Sequence, residues 1–456
     1  MTPPNVLCVQ PWIHDFAAYD LWLRPLGLLT LASALRRAGV PVEFLDCLDR
    51  AWSDDPDLPS ERRSRDDPYG RGHYRYDIID KPERLAPVER HFKRYGVPPG
   101  RVKQRMEVLP RPDCVLVTCT MTYWYPGAFE AIRLLKRRWP AVPVILGGTY
   151  AALCTSHARK QSGADRIVGK PGLGAALRAI SEVLDRDVSG SCLDIDRRPP
   201  RPAYDLIRHH GAAAVLTGRG CPYRCSYCAT EELHPGLYRL PTDHIAQNIR
   251  EAALTCGIGD VAFYDDALLV DAGSHLLPLL GRLDDLDLRF HTPNGMHARL
   301  ITPRVARRLW KSDFRTVHLS YEPGDPQNPQ TTEKVTEPEL GKAAEHLLSA
   351  GYTPSDFSVY TLVGLPGQSA SDAEGTLRAI QRAGARSCLT RYSPVPGTRD
   401  FQRLPDSYCE AARREPLLHN NTAFPYVAGQ ATLSPSDYRA LRNLSRELNQ
   451  ELLSDA

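Results

Sequence analysis

Three cysteines constrain this chain more than any other feature. They lie in the run Cys221-Pro222-Tyr223-Arg224-Cys225-Ser226-Tyr227-Cys228, with the spacing CxxxCxxC. Three thiolates on a cubane iron–sulfur cluster leave one iron without a protein ligand, whereas the four-cysteine runs of ferredoxins fill every position. The spacing therefore indicates a cluster with one open iron.

The flanks of this run favour a loop at the end of a strand. An apolar stretch, Ala213 to Leu216, breaks at Gly218-Arg219-Gly220 just before the first cysteine. Loops beyond the carboxyl ends of parallel strands are where barrel active sites form. The alternatives are a structural zinc loop or buried thiols. Zinc normally takes four ligands, often as two paired turns, and no second CxxC or HxxxH occurs in the chain.

The segment from Gly220 to Cys228 resembles the cluster loop of the radical S-adenosylmethionine (SAM) superfamily. The resemblance implies that Cys221, Cys225 and Cys228 hold a 4Fe-4S cluster and that SAM binds the open iron through its amino and carboxylate groups. Reduction would then cleave a carbon–sulfur bond of SAM to give a 5′-deoxyadenosyl radical. Tyr227 would pack on the adenine. Such an enzyme needs an electron donor such as flavodoxin or ferredoxin.

Length and composition set the remaining bounds. A chain of 456 residues is too long for one ordinary core, so two domains with appendages are expected. The 57 basic and 54 acidic side chains nearly cancel, which gives no argument for nucleic acid. No apolar stretch of 18 residues appears, and we expect no membrane span and a cytoplasmic location. The twelve cysteines are scattered apart from the one tight group, as in a reducing compartment.

Strands and helices alternate in the first half of the chain, which predicts a parallel, doubly wound sheet. A charged, proline-rich insertion at about 49–111 interrupts the alternation, and its aromatic residues argue against simple disorder. It is either an ordered cap above a pocket or a surface excursion without a function. Ligands of open α/β sheets bind off the carboxyl ends of the strands. Two strand-end segments meet this condition, the loop with Thr118 and Thr120 and the turn Gly147-Gly148.

Residues 5–185 resemble the cobalamin-binding domain that precedes radical SAM domains in cobalamin-dependent methylases. The resemblance implies a domain at 1–190 that binds cobalamin. Family members that place a histidine on cobalt carry D-x-H-x-x-G after the first strand. Here Trp12 stands at the aspartate position and Ala17 at the glycine position. His14 is therefore interpreted as an ordinary loop histidine.

A stiff, polar segment around Arg197 to Pro202 predicts a linker at 191–210. Six strand–helix units follow, and the resemblance implies the partial (β/α)6 barrel of the radical SAM fold at 211–400. The expected strands are 213–218, 260–265, 287–292, 315–321, 357–364 and 387–393. The expected helices are 242–256, 272–284, 303–312, 337–350 and 369–383. A helical extension follows at 401–456.

Polar and glycine residues end several of these strands. Asp265 and Asp266 follow the second strand, and Ser320 and Glu322 follow the fourth. By resemblance they contact SAM, although the aspartates could instead cap the next helix. The fifth strand ends in a Gly-Leu-Pro-Gly loop with Gly364, Pro366 and Gly367, where bare backbone would admit the adenosine.

The sequence thus predicts a radical SAM enzyme, most specifically one for cobalamin-dependent methyl transfer to an unactivated carbon. A cobalamin-free rearrangement, cyclisation or coupling is the alternative. A third possibility is a sensing protein that keeps the cluster without turnover. The expected substrate is a small molecule or a lipid precursor, and the sequence assigns no catalytic residue.

Overall fold

The computed structural model describes residues 3–52, 59–189, 194–208, 211–322, 335–429 and 432–454. The chain forms two compact units. The first comprises Met1–Ala214, Glu251–Ile258 and Ala411–Leu418, and the second comprises Val215–Arg250, Gly259–Glu410 and His419–Ala456.

Five parallel strands form the main sheet of the first unit. The strands before residue 211 are β1 (Val6–Gln10), β2 (Ile13–Asp15), β3 (Val42–Asp46), β4 (Arg65–Asp66), β5 (Gly72–His73), β6 (Tyr76–Ile78), β7 (Lys93–Tyr95), β8 (Cys114–Thr118), β9 (Val144–Gly147) and β10 (Arg166–Ile167). The helices are α1 (Leu26–Arg37), α2 (Pro99–Val108), α3 (Tyr125–Arg138), α4 (Thr149–Leu153), α5 (Thr155–Gln161) and α6 (Leu173–Leu184).

The sheet order is β10-β9-β8-β1-β3, with parallel pairing throughout. Strand residues such as Val6, Cys8 and Leu116 share a core with α1 and α6. Because side chains alternate between the faces of a strand, the buried residues between them point to the opposite face. Apolar residues on both faces explain why these strands read as continuous hydrophobic runs.

The described part of the insertion forms secondary structure. Strands β2, β7 and β6 form a three-stranded antiparallel sheet, in which His14 pairs with Arg94. Tyr74 and Tyr95 are buried in a small core with Ile13. The loop after β1 is therefore fixed by the insertion.

The remaining strands are β11 (Ala212–Val215), β12 (Gly218–Gly220), β13 (Leu237–Arg239), β14 (Asp260–Phe263), β15 (Arg289–His291), β16 (Met296–His297), β17 (Phe314–Ser320), β18 (Phe357–Val363) and β19 (Arg386–Arg391). The remaining helices are α7 (Thr230–Leu233), α8 (Thr242–Cys256), α9 (Leu276–Gly281), α10 (Pro303–Lys311), α11 (Glu337–Ala350), α12 (Ala370–Arg382), α13 (Arg399–Gln402), α14 (Asp406–Arg414), α15 (Phe424–Val427) and α16 (Pro435–Ser454).

The barrel sheet has the order β11-β14-β15-β17-β18-β19, and β16 pairs with β17. The six predicted strands are confirmed, each within a few residues, and so are the five helices between them. Helix α16 packs on α12 and β19 rather than over the mouth of the barrel. Asn449 bonds the backbone of Ser387 in both directions, so the helix covers this edge strand and protects it from further pairing.

Two sequence predictions need comment. Part of the predicted linker lies outside the described residues, and the rest is docked on the first unit, where Asp196 accepts hydrogen bonds from the first backbone N–H groups of α6. No helix among the described residues is long and apolar enough to cross a membrane.

Gly148 supports a stability prediction because its backbone has φ +91° and ψ −179°, a region that is nearly exclusive to glycine. A Cβ there would lie 2.5 Å from the carbonyl oxygen of Cys119. Gly148→Ala should lower the free energy of unfolding by about 2 kcal/mol or more, measured by denaturant titration. Gly147→Ala is the matched control, since the nearest atom to its Cβ would be 3.9 Å away. Equal stability of the two variants would contradict this explanation.

Candidate active site

The three cysteines lie on the loop that follows β12. This strand pairs antiparallel with β13, so the hairpin carries the cysteine loop and α7 between its two strands. Cys221 and Cys225 are half-buried and Cys228 is exposed. Among the described residues, no three Cys, His, Asp or Glu side chains converge as they would around a single metal ion. A four-iron cluster is larger than one ion, and three accessible thiols on one short loop fit its donor set.

A short helix fastens the middle of the loop. Asp400, in α13, accepts a hydrogen bond from the hydroxyl of Ser226 at 2.9 Å, and its backbone N–H donates to the carbonyl of Ser226 at 2.9 Å. Both residues are buried. Arg399 donates to the carbonyl of Arg224. The backbone on both sides of Cys225 is thus held by α13.

A buried carboxylate fastens the start of the loop. Asp265 is only 4% exposed, and it accepts hydrogen bonds from the backbone N–H of Thr217 at 2.9 Å and from the Thr217 hydroxyl at 2.6 Å. Burial raises the pKa of Asp265 to about 6, although these hydrogen bonds oppose the change. Asp265 therefore supports the strand before Cys221 and is closed to a ligand.

Arg239 completes this network from the other strand of the hairpin. Its guanidinium lies 3.4 Å from Asp265 and donates to the carbonyls of Ala267, at 2.6 Å, and Val270, at 2.5 Å. His275 lies 3.1 Å from the carbonyl of Thr217, and burial lowers its pKa to about 4. The neutral imidazole can therefore donate one N–H to that carbonyl.

Tyr227 and Glu322, predicted separately, are in direct contact. The tyrosine hydroxyl donates to Oε2 of Glu322 at 2.9 Å. Burial, followed by the charge of Glu322, raises the pKa of Tyr227 well above its usual value, so the hydroxyl stays protonated. The contact joins the last turn of the cysteine loop to the end of β17, and the residues just after Glu322 lie outside the described part of the chain.

The predicted aspartate pair is divided between two roles. Asp266 is exposed next to buried Asp265, and its carboxylate lies 3.4 Å from the hydroxyl of Thr230, which in turn lies 3.1 Å from Sγ of Cys228. Asp266 therefore remains available to a ligand beside the loop. Ser320, at the end of β17, is half-buried and lies against Gly295.

The Gly-Leu-Pro-Gly turn has a structural reason that the sequence did not show. A Cβ on Gly364 would lie 1.5 Å from the hydroxyl of Tyr438 in α16, and that hydroxyl donates to the carbonyl of Val363. The missing side chain therefore makes room for the tyrosine, where the sequence analysis expected adenosine. Pro366 is buried and Gly367 is exposed in the same turn.

The same correction applies to the first unit. Gly148 accommodates the backbone of Cys119, so its missing side chain does not itself indicate a ligand. Gly147, Thr118 and Thr120 are half-exposed and Gly148 is exposed, so this carboxyl edge of the sheet is open. Ligands of open α/β sheets bind at such an edge.

His14 belongs to a different arrangement. It is buried in β2, and its Nε2 lies 2.9 Å from Glu130 of α3. Burial alone would raise the pKa of Glu130, but the hydrogen bond from His14 and the charge of Arg94 lower it below its ordinary value. His14 therefore lies in a strand and not, as expected, in a loop. That it is no cobalt ligand stays a prediction.

Sequence reasoning missed the residues that hold the loop, chiefly Thr217, Arg239, His275 and Asp400. The one usable signal was the position of Asp400, two residues after Thr398 of the Pro-Gly-Thr turn that follows the sixth strand. Arg239 and His275 lie in stretches that carry no motif.

Comparison with known proteins gives three results. Residues 215–380 match the radical SAM superfamily. An uncharacterized methyltransferase of Pyrococcus horikoshii is 20% identical over 323 residues, which cover 63% of this chain and 68% of the relative. The tRNA-2-methylthio-N(6)-dimethylallyladenosine synthase of Zymomonas mobilis is 25% identical over 273 residues, covering 55% and 60%.

Solved structures of the radical SAM methyltransferase TsrM from Kitasatospora setae share the fold. One contains tryptophan substrate and a SAM analog, and it matches 87% of this chain and 75% of its own at 16% identity, with a TM-score of 0.62. Another contains cobalamin and a [4Fe-4S] cluster, with the same TM-score. The predicted order of domains, a parallel α/β unit followed by a partial barrel, is confirmed by this match. Residues 215–380 thus carry a radical SAM domain.

Proposed function

We propose that this protein is a cobalamin-dependent radical SAM methyltransferase. Cys221, Cys225 and Cys228 hold a 4Fe-4S cluster, SAM binds beside it in the barrel, and cobalamin binds at the carboxyl edge of the first sheet. The observation that carries the proposal is the cysteine loop fixed at the strand ends of a superfamily barrel, with Tyr227 and Glu322 in contact beside it. When bound, these cofactors supply the electron-transfer, radical and methyl-transfer chemistry.

The chain's own residues hold the cysteine loop in position and offer carboxylates that can bind SAM. The Asp265 network and Asp400 fix the two parts of the loop backbone, so the thiols are presented without a large loss of entropy on cluster binding. The carboxylate of Glu322 has acceptor capacity beyond its bond to Tyr227 and can receive an ammonium or a ribose hydroxyl. Asp266 offers a second carboxylate near Cys228.

The substrate is a small molecule in this proposal. TsrM acts on tryptophan in its solved complex, and that likeness supports a substrate of similar size. A lipid precursor is the other substrate that we expect. An electron donor such as flavodoxin or ferredoxin reduces the cluster, and a cytoplasmic location suits this reducing chemistry.

The cluster assignment predicts the effect of single cysteine substitutions. Cys221→Ala, Cys225→Ala or Cys228→Ala should each abolish both the iron–sulfur absorption and SAM cleavage, because three thiolates are the full protein ligand set. Cys388→Ala and Cys409→Ala are the controls, since these thiols lie on β19 and α14. Iron content per chain and 5′-deoxyadenosine release are the measurements. Full iron and activity in any loop variant would refute the assignment.

The SAM site predicts different outcomes for two carboxylates. Glu322→Gln should weaken SAM binding about tenfold to hundredfold with iron retained, because a charge-assisted hydrogen bond is lost. Asp265→Asn should instead lower the melting temperature and the iron content together, since Asp265 holds the start of the loop. Calorimetric titration of the cluster-loaded protein with SAM separates the two. Normal SAM affinity in Glu322→Gln would remove this residue from the site.

Cobalamin uptake decides between methyl transfer and the cobalamin-free alternative. Anaerobic protein reconstituted with hydroxocobalamin should bind close to one equivalent, and His14→Ala should leave the visible spectrum unchanged because His14 pairs with Glu130. The expected products with a competent acceptor are a methylated product and S-adenosylhomocysteine or 5′-deoxyadenosine. Protein that cleaves SAM but takes up no cobalamin would favour the rearrangement, cyclisation or coupling reading.

A further inference from the structure

A polar pocket opens at one end of the first sheet, away from the Gly147-Gly148 turn. It lies at the carboxyl end of β3, whose last residue is Asp46, and next to the start of α1. Its space is about 340 Å³, part of which is open solvent. The lining residues are Asp20, Leu23, Arg24, Pro25, Asp46, Leu48, Asp49, Arg50, Tyr74 and Ile207.

Most charges of the pocket are already paired. Asp20 accepts a hydrogen bond from Arg24 at 3.1 Å and lies 3.3 Å from Nε of Arg50. Asp49 accepts from the backbone N–H groups of Ala51 and Trp52. Arg50 also lies 2.7 Å from Asp66, and Asp49 lies 3.8 Å from Arg208. Among the carboxylates that line the pocket, Asp46 alone is in no ion pair with the described residues.

Three polar groups remain incompletely matched within the described residues. The hydroxyl of Tyr74 is buried without a hydrogen-bond partner, and the Tyr74 residue is only 3% exposed. The Nε–H of Arg24 is also buried without a hydrogen-bond partner. Asp46 accepts one bond, from the backbone N–H of Leu48 at 2.8 Å. Buried groups left without partners cost free energy, so they mark the place of a missing hydrogen-bonding group.

The protonation states define what that group must offer. Burial raises the pKa of Tyr74 well above its usual value, so its hydroxyl remains a donor. Burial, followed by the charge of Asp49, raises the pKa of Asp46 to about 7. The pocket thus presents two donors, Tyr74 and Arg24, beside one carboxyl acceptor, with its charges close to balance. A neutral group that both accepts and donates matches this set.

We infer that this pocket is a binding site for a primary carboxamide, and that its occupant is a carboxamide arm of the corrin ring. The carboxamide oxygen accepts two hydrogen bonds, from Tyr74 and Arg24, while its NH2 group donates to Asp46. The occupant rests on the proposed function, because that function places a corrinoid, whose rim carries several carboxamides, at the edge of this sheet. A single ordered water offers similar bonds and is the competing occupant.

The test uses the full-length protein and equilibrium dialysis against hydroxocobalamin and dicyanocobinamide, the second of which lacks the nucleotide tail. Tyr74→Phe should weaken the binding of both corrinoids about twofold to tenfold, the range of one hydrogen bond. Asp46→Ala should lose at least as much. Tyr76→Phe is the matched control, since Tyr76 lies two residues further on and does not line the pocket. Melting curves establish that each variant is folded.

The outcomes separate cleanly. Loss of affinity for both corrinoids in the pocket variants, with the control unchanged, supports the inference. Wild-type affinity in both variants means that the pocket holds only water, which overturns the inference and leaves the proposed function standing. Loss with cobalamin alone assigns the pocket to the nucleotide tail and also overturns it. Wild-type protein that binds no corrinoid yet cleaves SAM overturns the cobalamin part of the proposed function.

A measurement on the wild-type protein keeps the inference testable if the variants do not fold. Cobalamin monocarboxylates, in which one carboxamide is hydrolysed, are compared one isomer at a time. One isomer should bind distinctly more weakly, because a carboxylate there would face Asp46. Equal affinity for every isomer would exclude a carboxamide in the pocket.

Discussion

The candidate active site depends on one buried carboxylate. Asp265 is taken out of water at a cost, and only well-placed donors offset that cost. Its donors come from Thr217 and Arg239, which flank the cysteine loop in sequence, so satisfying the carboxylate also brings the two strands of the hairpin to a fixed position. The loop ends are thereby rigid while the cysteines themselves stay accessible. This division suits a cofactor that is larger than a single ion and must be approached by a second ligand.

Two glycines show how the structure changes the meaning of a sequence signal. Gly148 and Gly364 both follow strands whose carboxyl ends are expected ligand positions, where a glycine backbone leaves space. The space is filled by the chain itself, by the backbone of Cys119 in one case and by the hydroxyl of Tyr438 in the other. Tyr438 lies 74 residues after Gly364, and no local pattern can reveal such a partner. A glycine at a strand end therefore indicates close approach but does not say what approaches.

Features set by neighbouring residues could be predicted from the sequence, whereas contacts between residues far apart in the chain could not. The barrel strands and helices were predictable because each is set by a local apolar period, and the cysteine spacing is itself a local signal. The sequence could not distinguish the roles of the neighbours Asp265 and Asp266, because both follow the end of β14. In the structure Asp265 is buried against Thr217 and Asp266 is exposed. Asp400 and Arg239 act across 174 and 26 residues respectively, and only Asp400 lies near a recognisable turn. The sequence therefore revealed the cysteines that could bind the cluster, but not the residues that hold their loop in place.

The insertion gives the first unit a character that the strand pattern alone did not suggest. It turns the loop after β1 into a strand of an antiparallel sheet, in which His14 is paired in register with Arg94. Arg94 also lies 2.9 Å from Glu130, the partner of His14, and 3.1 Å from Asp77, so β2, β6, β7 and α3 are joined by one ion network. Moving His14 toward a metal would break both the sheet pairing and this network. The departure from the D-x-H-x-x-G pattern therefore has a structural counterpart, because the residue at the histidine position already stabilises the fold.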